Sequence, residues 1–327
     1  MTGSITDVPG VLVGHAHDAS RGSGVTVLFF PDGAAGAADI RGEAAGTRQM
    51  DSLLRPHPAR QFHALVLAGG SAFGMDAASG VLKFLEERNI GFPTPAGVVP
   101  IAPTAVIYDL GYADAGFRPG PEMGYEAARN ASPLPPRRGS VGAGAGATVG
   151  KALGIRRAMK GGFGTASGSG GGTVVGACAV VNAFGDVVDP ATGGWVAGAR
   201  LEGSDAPADT EAMFREGFRR EPFAGENTTL AVVATADLLS REELWSVARM
   251  AHAALCRTVR PVHTPMDGDV LVAVSTGRSG RRGNALQIAA LGTRALEASV
   301  LDGVRSARGT ESVPAAAELP GRRGRAT

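Results

Sequence analysis

The 327-residue sequence is poor in cysteine and in aromatic residues, and its charges nearly cancel. Its two cysteines, Cys178 and Cys256, are far apart in apolar surroundings and form no CxxC pair, so we interpret both as buried small hydrophobic residues. Aromatic residues make up only 5% of the chain, which disfavours the stacking of nucleic-acid bases. The 32 basic and 31 acidic residues include no basic stripe that would neutralise phosphates, and we therefore predict no nucleic-acid partner.

Long apolar runs are absent as well. No uninterrupted run reaches the roughly 18 residues of a membrane span, so we predict no membrane association. Residues 1–7 contain neither the basic nor the apolar segment of a secretory signal. These features favour a cytoplasmic location.

Glycine, in contrast, is abundant. The 49 glycines amount to about 15% of the chain, against an average of about 7%, and they are densest in residues 139–173. This enrichment predicts tight turns and backbone-lined pockets. Within it, Gly144–Lys151 departs from the phosphate-binding pattern GxxxxGK[ST], because Ala145 and Ala152 stand where Gly and Ser or Thr are needed. We predict no nucleotide site, and the pattern leaves Lys151 as either a surface lysine or a residue that approaches a ligand closely.

A second glycine-rich segment, Leu67–Gly74, resembles a nucleophile elbow but has Phe73 where GxSxG needs glycine. We interpret Gly69 and Gly70 as a turn between a strand and a helix. Ser71 is then predicted to cap that helix, with exposed backbone N–H groups beside it.

The six histidines form no HxxxH or HExxH pattern on a predicted helix. His15 and His17 stand at a spacing that could chelate a metal, but a lone pair of this kind is more often structural. We predict neither a metal nor another cofactor.

Short apolar segments bounded by turns predict strands, several of which follow one another directly, such as residues 174–182 and 186–189. Such neighbours favour antiparallel pairing. Amphipathic segments predict helices, one beginning at the capping box Ser240–Glu243 and another over about residues 284–304. We therefore predict an α+β fold, a sandwich of sheets with helices outside, followed by a loose tail over residues 308–327.

The most specific feature is the start of a strand at two adjacent hydroxyl residues, Thr228 and Thr229, directly after Asn227. A β-branched residue at a strand start is ordinary on its own. Cleavage between Asn227 and Thr228 would give Thr228 a free α-amine, whose pKa of about 7.7–8.0 leaves a useful fraction neutral at pH 7. An N-terminal threonine then carries its own base beside its hydroxyl, and no histidine is needed.

Two acids follow in the segment Asp267-Gly268-Asp269. Because side chains alternate, both carboxylates lie on one face of an extended segment. The pattern fits a turn before the strand at Val270, or a pair of acids that positions a hydroxyl and an amine, one of them with a pKa raised by its neighbour. It also fits a divalent cation, although the chain offers no companion ligands.

In their order and spacing, these segments resemble the DmpA-type self-processing peptidases. These L-aminopeptidase/D-amidase/esterases are related to β-peptidyl aminopeptidases and to nylon-oligomer hydrolase. The resemblance covers about residues 4–305. It is carried by Ile5–Gly10, Val13–His15, Asp39–Gly42, Gly46–Arg48, Leu67–Ser71, Ala105–Asp109, Gly146–Lys151, Val181–Ala183, Asn227–Leu230 and Met266–Asp269.

The resemblance implies an αββα sandwich of the type found in these peptidases and in ornithine acetyltransferases, similar to that of N-terminal nucleophile hydrolases. It further implies a single catalytic domain, residues 1–307, cleaved into an α chain of residues 1–227 and a β chain of residues 228–327. A homo-oligomer, a tetramer of such αβ units, is expected on the same basis.

The same resemblance assigns roles to five residues. It implies that Thr228 is the nucleophile and that its amine is the base. Asp267 and Asp269 match the pair that orients this terminus. Lys151 and Asn182 match residues that line the site, Asn182 as a partner of the oxyanion or of the hydroxyl.

A contact with the substrate or with the oxyanion is implied for Tyr108, and we assign Gly70 and Ser71, in a matching segment, to substrate binding. The implied activity is hydrolysis of small peptides, aminoacyl amides or esters through an acyl-enzyme on Thr228. Two alternatives stay open. One is an acyltransferase of the ornithine acetyltransferase type, which also self-cleaves before a threonine, and the other is an uncleaved protein that binds a small ligand.

Overall fold

The computed structural model describes residues 1–112, 114–219, 227–310 and 312–319. Within these ranges, helices and strands alternate without a regular repeat. The α-helices, in chain order, are α1 Asp51–Leu54, α2 Ala77–Glu86, α3 Pro121–Arg129, α4 Thr210–Arg215, α5 Arg241–Thr258 and α6 Ala285–Arg305. The strands are β1 Leu12–Asp18, β2 Ser23–Gly42, β3 Gly46–Arg48, β4 Phe62–Ala68, β5 Phe92–Thr94, β6 Gly97–Val99, β7 Thr104–Val106, β8 Thr148–Val149, β9 Met159–Lys160, β10 Gly162–Gly170, β11 Thr173–Asn182, β12 Asp186–Val188, β13 Trp195–Ala197, β14 Thr228–Thr235, β15 Val259–Arg260 and β16 Gly268–Ser275.

Most of the longer strands belong to one hydrogen-bonded path, β10-β11-β14-β16-β2-β4-β7-β3, with β1 paired to β2. The path forms two sheets. Sheet A comprises β3, β7, β4, β1 and residues 23–29 of β2, and sheet B comprises residues 35–42 of β2 together with β16, β14, β11 and β10. The 20-residue strand β2 therefore belongs to both sheets, and its pairing shifts between Phe29 and Ala34.

Apolar cores among the described residues separate four layers. One core lies between the two sheets and contains Leu28 and Leu65 of sheet A with Val232 and Val272 of sheet B. A second core packs sheet B against α5 and α6, and a third packs sheet A against α2 and α3. The layers run helix, sheet, sheet, helix, so the predicted αββα sandwich is confirmed.

Strand β14 illustrates how the sequence produces these layers. All eight of its residues are buried, and its side chains alternate between two faces. Leu230 and Val232 belong to the core between the sheets, whereas Ala231 and Val233 belong to the core under α5 and α6. A strand that is covered on both faces has a continuous run of apolar residues in its sequence, and β14 has such a run.

Helix α5 begins at the predicted capping box. Ser240 Oγ accepts a hydrogen bond from the Glu243 N–H at 3.3 Å, and the Glu243 carboxylate accepts one from the Ser240 N–H at 2.7 Å. These bonds satisfy backbone donors that have no partner within the helix. The predicted start of this helix is confirmed.

Two parts of the chain differ from the sequence-based expectations. The predicted loose tail begins at residue 308, yet Val313, Ala315 and Leu319 are buried, so residues 312–319 pack onto the domain; residues 320–327 lie outside the described residues. Cys178 is buried as expected, but Cys256 is exposed, so its interpretation as a core residue is wrong. No helix in the described ranges is long and apolar enough to cross a membrane.

Candidate active site

The candidate site lies where three strands of sheet B meet at one edge. β14 begins at Thr228, whose antiparallel partner is Asn182, the last residue of β11. On its other side, β14 pairs with the parallel strand β16, which begins at Gly268 beside a bridge between Asn227 and Asp267. The fold thus brings the predicted cleavage site, the predicted amide and one predicted acid together.

The carbonyl group of Asn227 has two neighbours. The Gly268 N–H donates to its oxygen at 3.0 Å, and the Thr228 hydroxyl donates to the same oxygen. Asn227 is fully buried and Thr228 is 2% exposed. A potential nucleophile and a backbone donor therefore converge on one peptide bond, and a donor in this place stabilises negative charge that develops on the oxygen.

Asp269 is buried in β16, and both of its carboxylate oxygens are engaged. Oδ1 accepts a hydrogen bond from the Thr229 N–H at 2.7 Å, and Oδ2 lies 2.7 Å from Nδ1 of His263. The first contact fixes the backbone immediately after Thr228. The second involves a histidine that the sequence analysis did not place in the site, because a loop residue six positions away carries no periodic signal.

Asp267 is held by a different set of donors. Its Oδ1 accepts from the Phe184 N–H at 3.2 Å, and its Oδ2 accepts from the N–H and the hydroxyl of Thr264 at 2.9 and 2.7 Å. Burial, and next the charge of Asp269, raise the pKa of Asp267 to about 6. Asp267 therefore takes up a proton more readily than an exposed aspartate.

Asn182 links two other predicted residues, Lys151 and Tyr108, through its side-chain amide. Its Oδ1 accepts from Lys151 Nζ at 2.9 Å and from the Thr148 N–H at 3.0 Å, while Nδ2 donates to the Tyr108 carbonyl at 3.1 Å. Lys151 Nζ also donates to the carbonyls of Thr148 and Asn182. Lys151 is only 4% exposed, so the reading of it as a surface lysine is wrong.

A cavity of about 270 Å³ opens beside this group and is lined in part by Tyr108, Lys151, Thr148, Tyr112 and Ile155. Thr148 and Lys151 form its polar end, and both donate hydrogen bonds to the side chain of Asn182. Asn182 is the strand partner of Thr228. Its aromatic and aliphatic walls suit the apolar part of a small ligand.

Gly70 contacts a residue that lines this cavity, whereas the Ser71 N–H donates to the carbonyl of Ile107, which is not among the lining residues. The Gly70 N–H donates to Oδ1 of Asp109 at 2.7 Å, and Asp109 lines the cavity. Ser71 is the first residue of a 3₁₀ turn whose N-cap is Gly70, and α2 begins only at Ala77 with Asp76 as its N-cap, so the predicted helix cap at Ser71 is wrong. The structure therefore gives Gly70 a supporting contact with the cavity wall.

Lys160 and Asp109 are buried charged residues that the sequence analysis did not select. Lys160 Nζ donates to the carbonyls of Gly144 and Ala147 at 3.0 and 2.6 Å, and it lies 4.8 Å from the centroid of the Tyr112 ring. Burial lowers the pKa of Lys160 to about 7, although the charge of Asp109 opposes this shift. Burial likewise raises the pKa of Asp109.

The fold is similar to that of a known class of solved structures. A Burkholderia sp. beta-aminopeptidase superposes with a TM-score of 0.68 and 19% sequence identity, covering 96% of this chain and 90% of that chain. The L-aminopeptidase D-Ala-esterase/amidase of Ochrobactrum anthropi, described as a new variant of the Ntn hydrolase fold, gives a TM-score of 0.69 at 18% identity with the same coverage. The chain thus has the fold of Ntn-type peptide hydrolases.

The sequence comparisons define the family. The model of peptidase family S58 matches residues 3–327, and the chain belongs to this family. An uncharacterized aminopeptidase of Mycobacterium tuberculosis (strain ATCC 25618 / H37Rv) is 44% identical over 293 residues, which cover 84% of this chain and 81% of the relative. A 6-aminohexanoate-oligomer endohydrolase of Kocuria sp. (strain KY2) is 34% identical over 274 residues, which cover 83% of this chain and 74% of the relative.

These comparisons confirm two predictions. The resemblance to self-processing aminopeptidases is confirmed at the level of the family, and so is the prediction of a hydrolase that acts on peptide or amide bonds. The roles of individual residues and the cleavage of the Asn227–Thr228 bond stay predictions.

Proposed function

We propose that this hydrolase cleaves its own Asn227–Thr228 bond and then uses Thr228 as the nucleophile of an N-terminal-threonine amidase. One observation carries the proposal: the Thr228 hydroxyl and the Gly268 N–H both contact the Asn227 carbonyl oxygen inside a buried site. The Gly268 N–H belongs to the parallel bridge between Asn227 and Asp267, and the buried Thr228 hydroxyl on the same oxygen is the group that an ordinary strand start does not need.

The self-cleavage step is an exchange of an amide for an ester, followed by hydrolysis. Thr228 Oγ attacks the carbonyl carbon of Asn227, and the Gly268 N–H stabilises the oxyanion. The C–N bond breaks as the Thr228 nitrogen takes up the hydroxyl proton. Water then hydrolyses the ester, leaving a carboxylate on Asn227 and a free amine on Thr228.

Turnover of a substrate repeats this chemistry with the new amine as the base. The amine takes the hydroxyl proton, Oγ attacks the substrate carbonyl, and the leaving amine departs with a proton. Water resolves the acyl-enzyme and restores the hydroxyl. To Lys151 and Asn182 we assign the stabilisation of the oxyanion or the orientation of the nucleophile, and their 2.9 Å hydrogen bond beside the strand partner of Thr228 supports this assignment.

The cavity favours a small substrate. Its volume of about 270 Å³ and its Tyr108, Tyr112 and Ile155 walls fit one or two residues of a short peptide or an aminoacyl amide. Relatives described as an uncharacterized aminopeptidase and as a 6-aminohexanoate-oligomer endohydrolase support an amide substrate.

The test compares the native chain with Thr228→Val and Thr228→Ser. Valine keeps the shape of threonine without the hydroxyl, and serine keeps the hydroxyl. We expect intact-mass spectrometry to find fragments 1–227 and 228–327 for the native and serine chains, and an uncleaved, inactive valine variant. Cleavage of the valine variant, or full activity from an uncleaved chain, contradicts the proposal.

The two alternative functions give different results in the same preparation. An acyltransferase would transfer the acyl group of acetylornithine to glutamate faster than it hydrolyses peptide p-nitroanilides, and a ligand-binding protein would stay as one chain. The tetramer and the cytoplasmic location stay predictions. Sedimentation of the native protein tests the first.

A further inference from the structure

A polar cluster that the proposed mechanism does not use contacts one of the predicted acids. It comprises Asp39 and Arg41 of β2, His252 of α5 and His263 of the loop before β16. His263 Nδ1 lies 2.7 Å from Oδ2 of Asp269, and its ring packs edge-on against that of His252 with centroids 4.9 Å apart. The cluster thus places a ring nitrogen on the second oxygen of this carboxylate.

The loop that carries His263 holds both acids of the site. His263 contacts Asp269, and the next residue, Thr264, donates its N–H and its hydroxyl to Asp267. The backbone of His263 lies at φ 54°, in the left-handed region that a non-glycine residue adopts only when its surroundings hold it there. The loop is therefore fixed in a strained form that points two adjacent residues at two carboxylates.

The direction of the His263 contact follows from the groups involved. A carboxylate oxygen accepts hydrogen bonds, so Nδ1 of His263 is the donor to Asp269. The other ring nitrogen, Nε2, is buried and has no hydrogen-bond partner among the described residues. With hydrogen on Nδ1 alone, the unpaired atom is an acceptor, which avoids the burial of an unpaired N–H.

The ring of His263 is supported from its other side by an uncharged neighbour. Burial, then the nearby charge of Arg41, lower the pKa of His252 to about 4, so this histidine is neutral at pH 7. Its Nε2 lies 3.3 Å from Asp39 Oδ2, and Arg41 Nε donates to the same oxygen at 3.0 Å. An anchored, neutral ring thus fixes the plane of the His263 ring.

We infer that His263 is a positioning residue whose Nδ1–H holds Asp269 in the orientation that accepts the Thr229 N–H. Through that bond it sets the backbone around the Thr228 nucleophile. The inference rests on the proposed function, since it concerns the rate of self-cleavage. His263 itself touches no reacting atom.

The test compares His263→Gly with His263→Asn. Both residues tolerate the left-handed backbone, so neither variant adds strain. The asparagine Nδ2 stands as many bonds from Cβ as the histidine Nδ1 does, and it keeps a donor to Asp269, whereas glycine has none. We expect the glycine variant to self-cleave about ten- to hundredfold more slowly than the native chain, and the asparagine variant to stay within about threefold of it.

The outcomes separate this inference from the proposed function. An uncleaved native chain overturns the proposed function. A native chain that cleaves, together with a glycine variant that cleaves equally fast, overturns the role of His263. Equal slowing of both variants also overturns it, because a purely structural role would not be rescued by a donor.

A measurement on the unchanged histidine covers the case in which the glycine variant does not fold. In the Thr228→Val chain labelled with ¹⁵N-histidine, two-bond ¹H–¹⁵N correlations distinguish hydrogen on Nδ1 from hydrogen on Nε2. We expect the Nδ1–H form for His263, assigned by its loss in His263→Asn. A ring with hydrogen on Nε2 alone overturns the inference.

Discussion

The side chain of Asn182 has three hydrogen-bond partners: Lys151 Nζ, the Thr148 N–H and the Tyr108 carbonyl. Replacement by alanine leaves these buried groups without that partner and removes a candidate oxyanion donor. We expect Asn182→Ala to lower turnover by about 10²–10³-fold, the cost of one lost oxyanion-hole donor. Steady-state kinetics of the processed enzyme measure this.

A control for this prediction is Asn130→Ala. Asn130 lies at the end of α3, where its amide donates to the His15 carbonyl in an exposed position. We expect turnover within about twofold of native for this variant, because exposed substitutions change the folding free energy by only about 0.5 kcal/mol. Equal kinetics for both variants would remove Asn182 from the catalytic group.

Lys160 gives a prediction about pH. Its pKa is about 7 in the folded chain, whereas an unfolded lysine titrates near 10.4. Between these values the unfolded chain binds more protons at this site, so the contribution of Lys160 to the free energy of unfolding rises with pH. We expect the native chain to gain stability relative to Lys160→Met by roughly 1 kcal/mol per pH unit between pH 7 and 9.

Urea unfolding of the two chains at several pH values measures this difference, with Lys83→Met as the control. Lys83 lies in the last turn of α2, and its ammonium is 5.9 Å from the centroid of the Tyr125 ring. Parallel pH curves for the native chain and Lys160→Met would mean that Lys160 does not titrate in this range.

At the residue level, the sequence located part of the site and missed the rest for identifiable reasons. Thr228, Asp267 and Asp269 were found because a strand start and a period-two acid pair leave a mark in sequence. Lys160 and His263 leave no such mark, because Lys160 lies in the two-residue strand β9 and His263 lies in a loop. Only the folded chain shows that their side chains point at it.

Among the elements, β10 and α6 are packed backbone to backbone. A Cβ added at Gly164 of β10 would lie 2.1 Å from the Ser299 carbonyl oxygen and 2.2 Å from the Gly303 nitrogen, both in α6. We expect Gly164→Ala to destabilise the fold by about 1–3 kcal/mol or more, because backbone atoms cannot move aside.

The matched control lies on the same strand. At Gly170 an added Cβ would meet only Leu291 side-chain atoms, at 3.7 Å, which is ordinary contact. We expect Gly170→Ala to be neutral or slightly stabilising, since alanine has less backbone freedom to lose on folding. Thermal unfolding of both variants checks the pair. A tolerated alanine at Gly164 would mean that α6 packs less closely than described.

Element boundaries were predictable where local chemistry marks them. The capping box at Ser240 correctly predicted the start of α5, and the apolar run after Thr228 correctly predicted the start of β14. The apolar run Val25–Phe30 predicts a short strand, whereas β2 continues to Gly42. Pro31 and the glycines that follow are typical of a turn, but here the main chain passes through a shift in pairing and continues into the other sheet.

For the whole molecule, the position of the two expected fragments predicts that they stay together. Strands β14 and β16, from residues 228–327, lie between β11 and β2, from residues 1–227. Separation of the fragments would break the hydrogen bonds between β11 and β14 and those between β16 and β2, both in the interior of sheet B. We expect the fragments to elute as one species in size-exclusion chromatography after cleavage and to separate only in denaturant.

A tag placed at residue 1 provides the readout. The fragment that begins at Thr228 should be retained on the affinity resin with the tagged fragment, and the ratio of the two should stay at one to one through washing. Loss of the second fragment without denaturant would contradict the described strand order.

The contact between Gly268 and the Asn227 carbonyl also has a consequence for biosynthesis. The donor on the carbonyl, and Asp269 beside it, are translated some forty residues after the scissile bond, and β16 docks against β2, which leaves the ribosome early. On the proposed mechanism, a nascent chain cannot cleave itself until β16 has paired with β14 and β2. Translation products that end before Asp269 would then remain uncleaved and inactive.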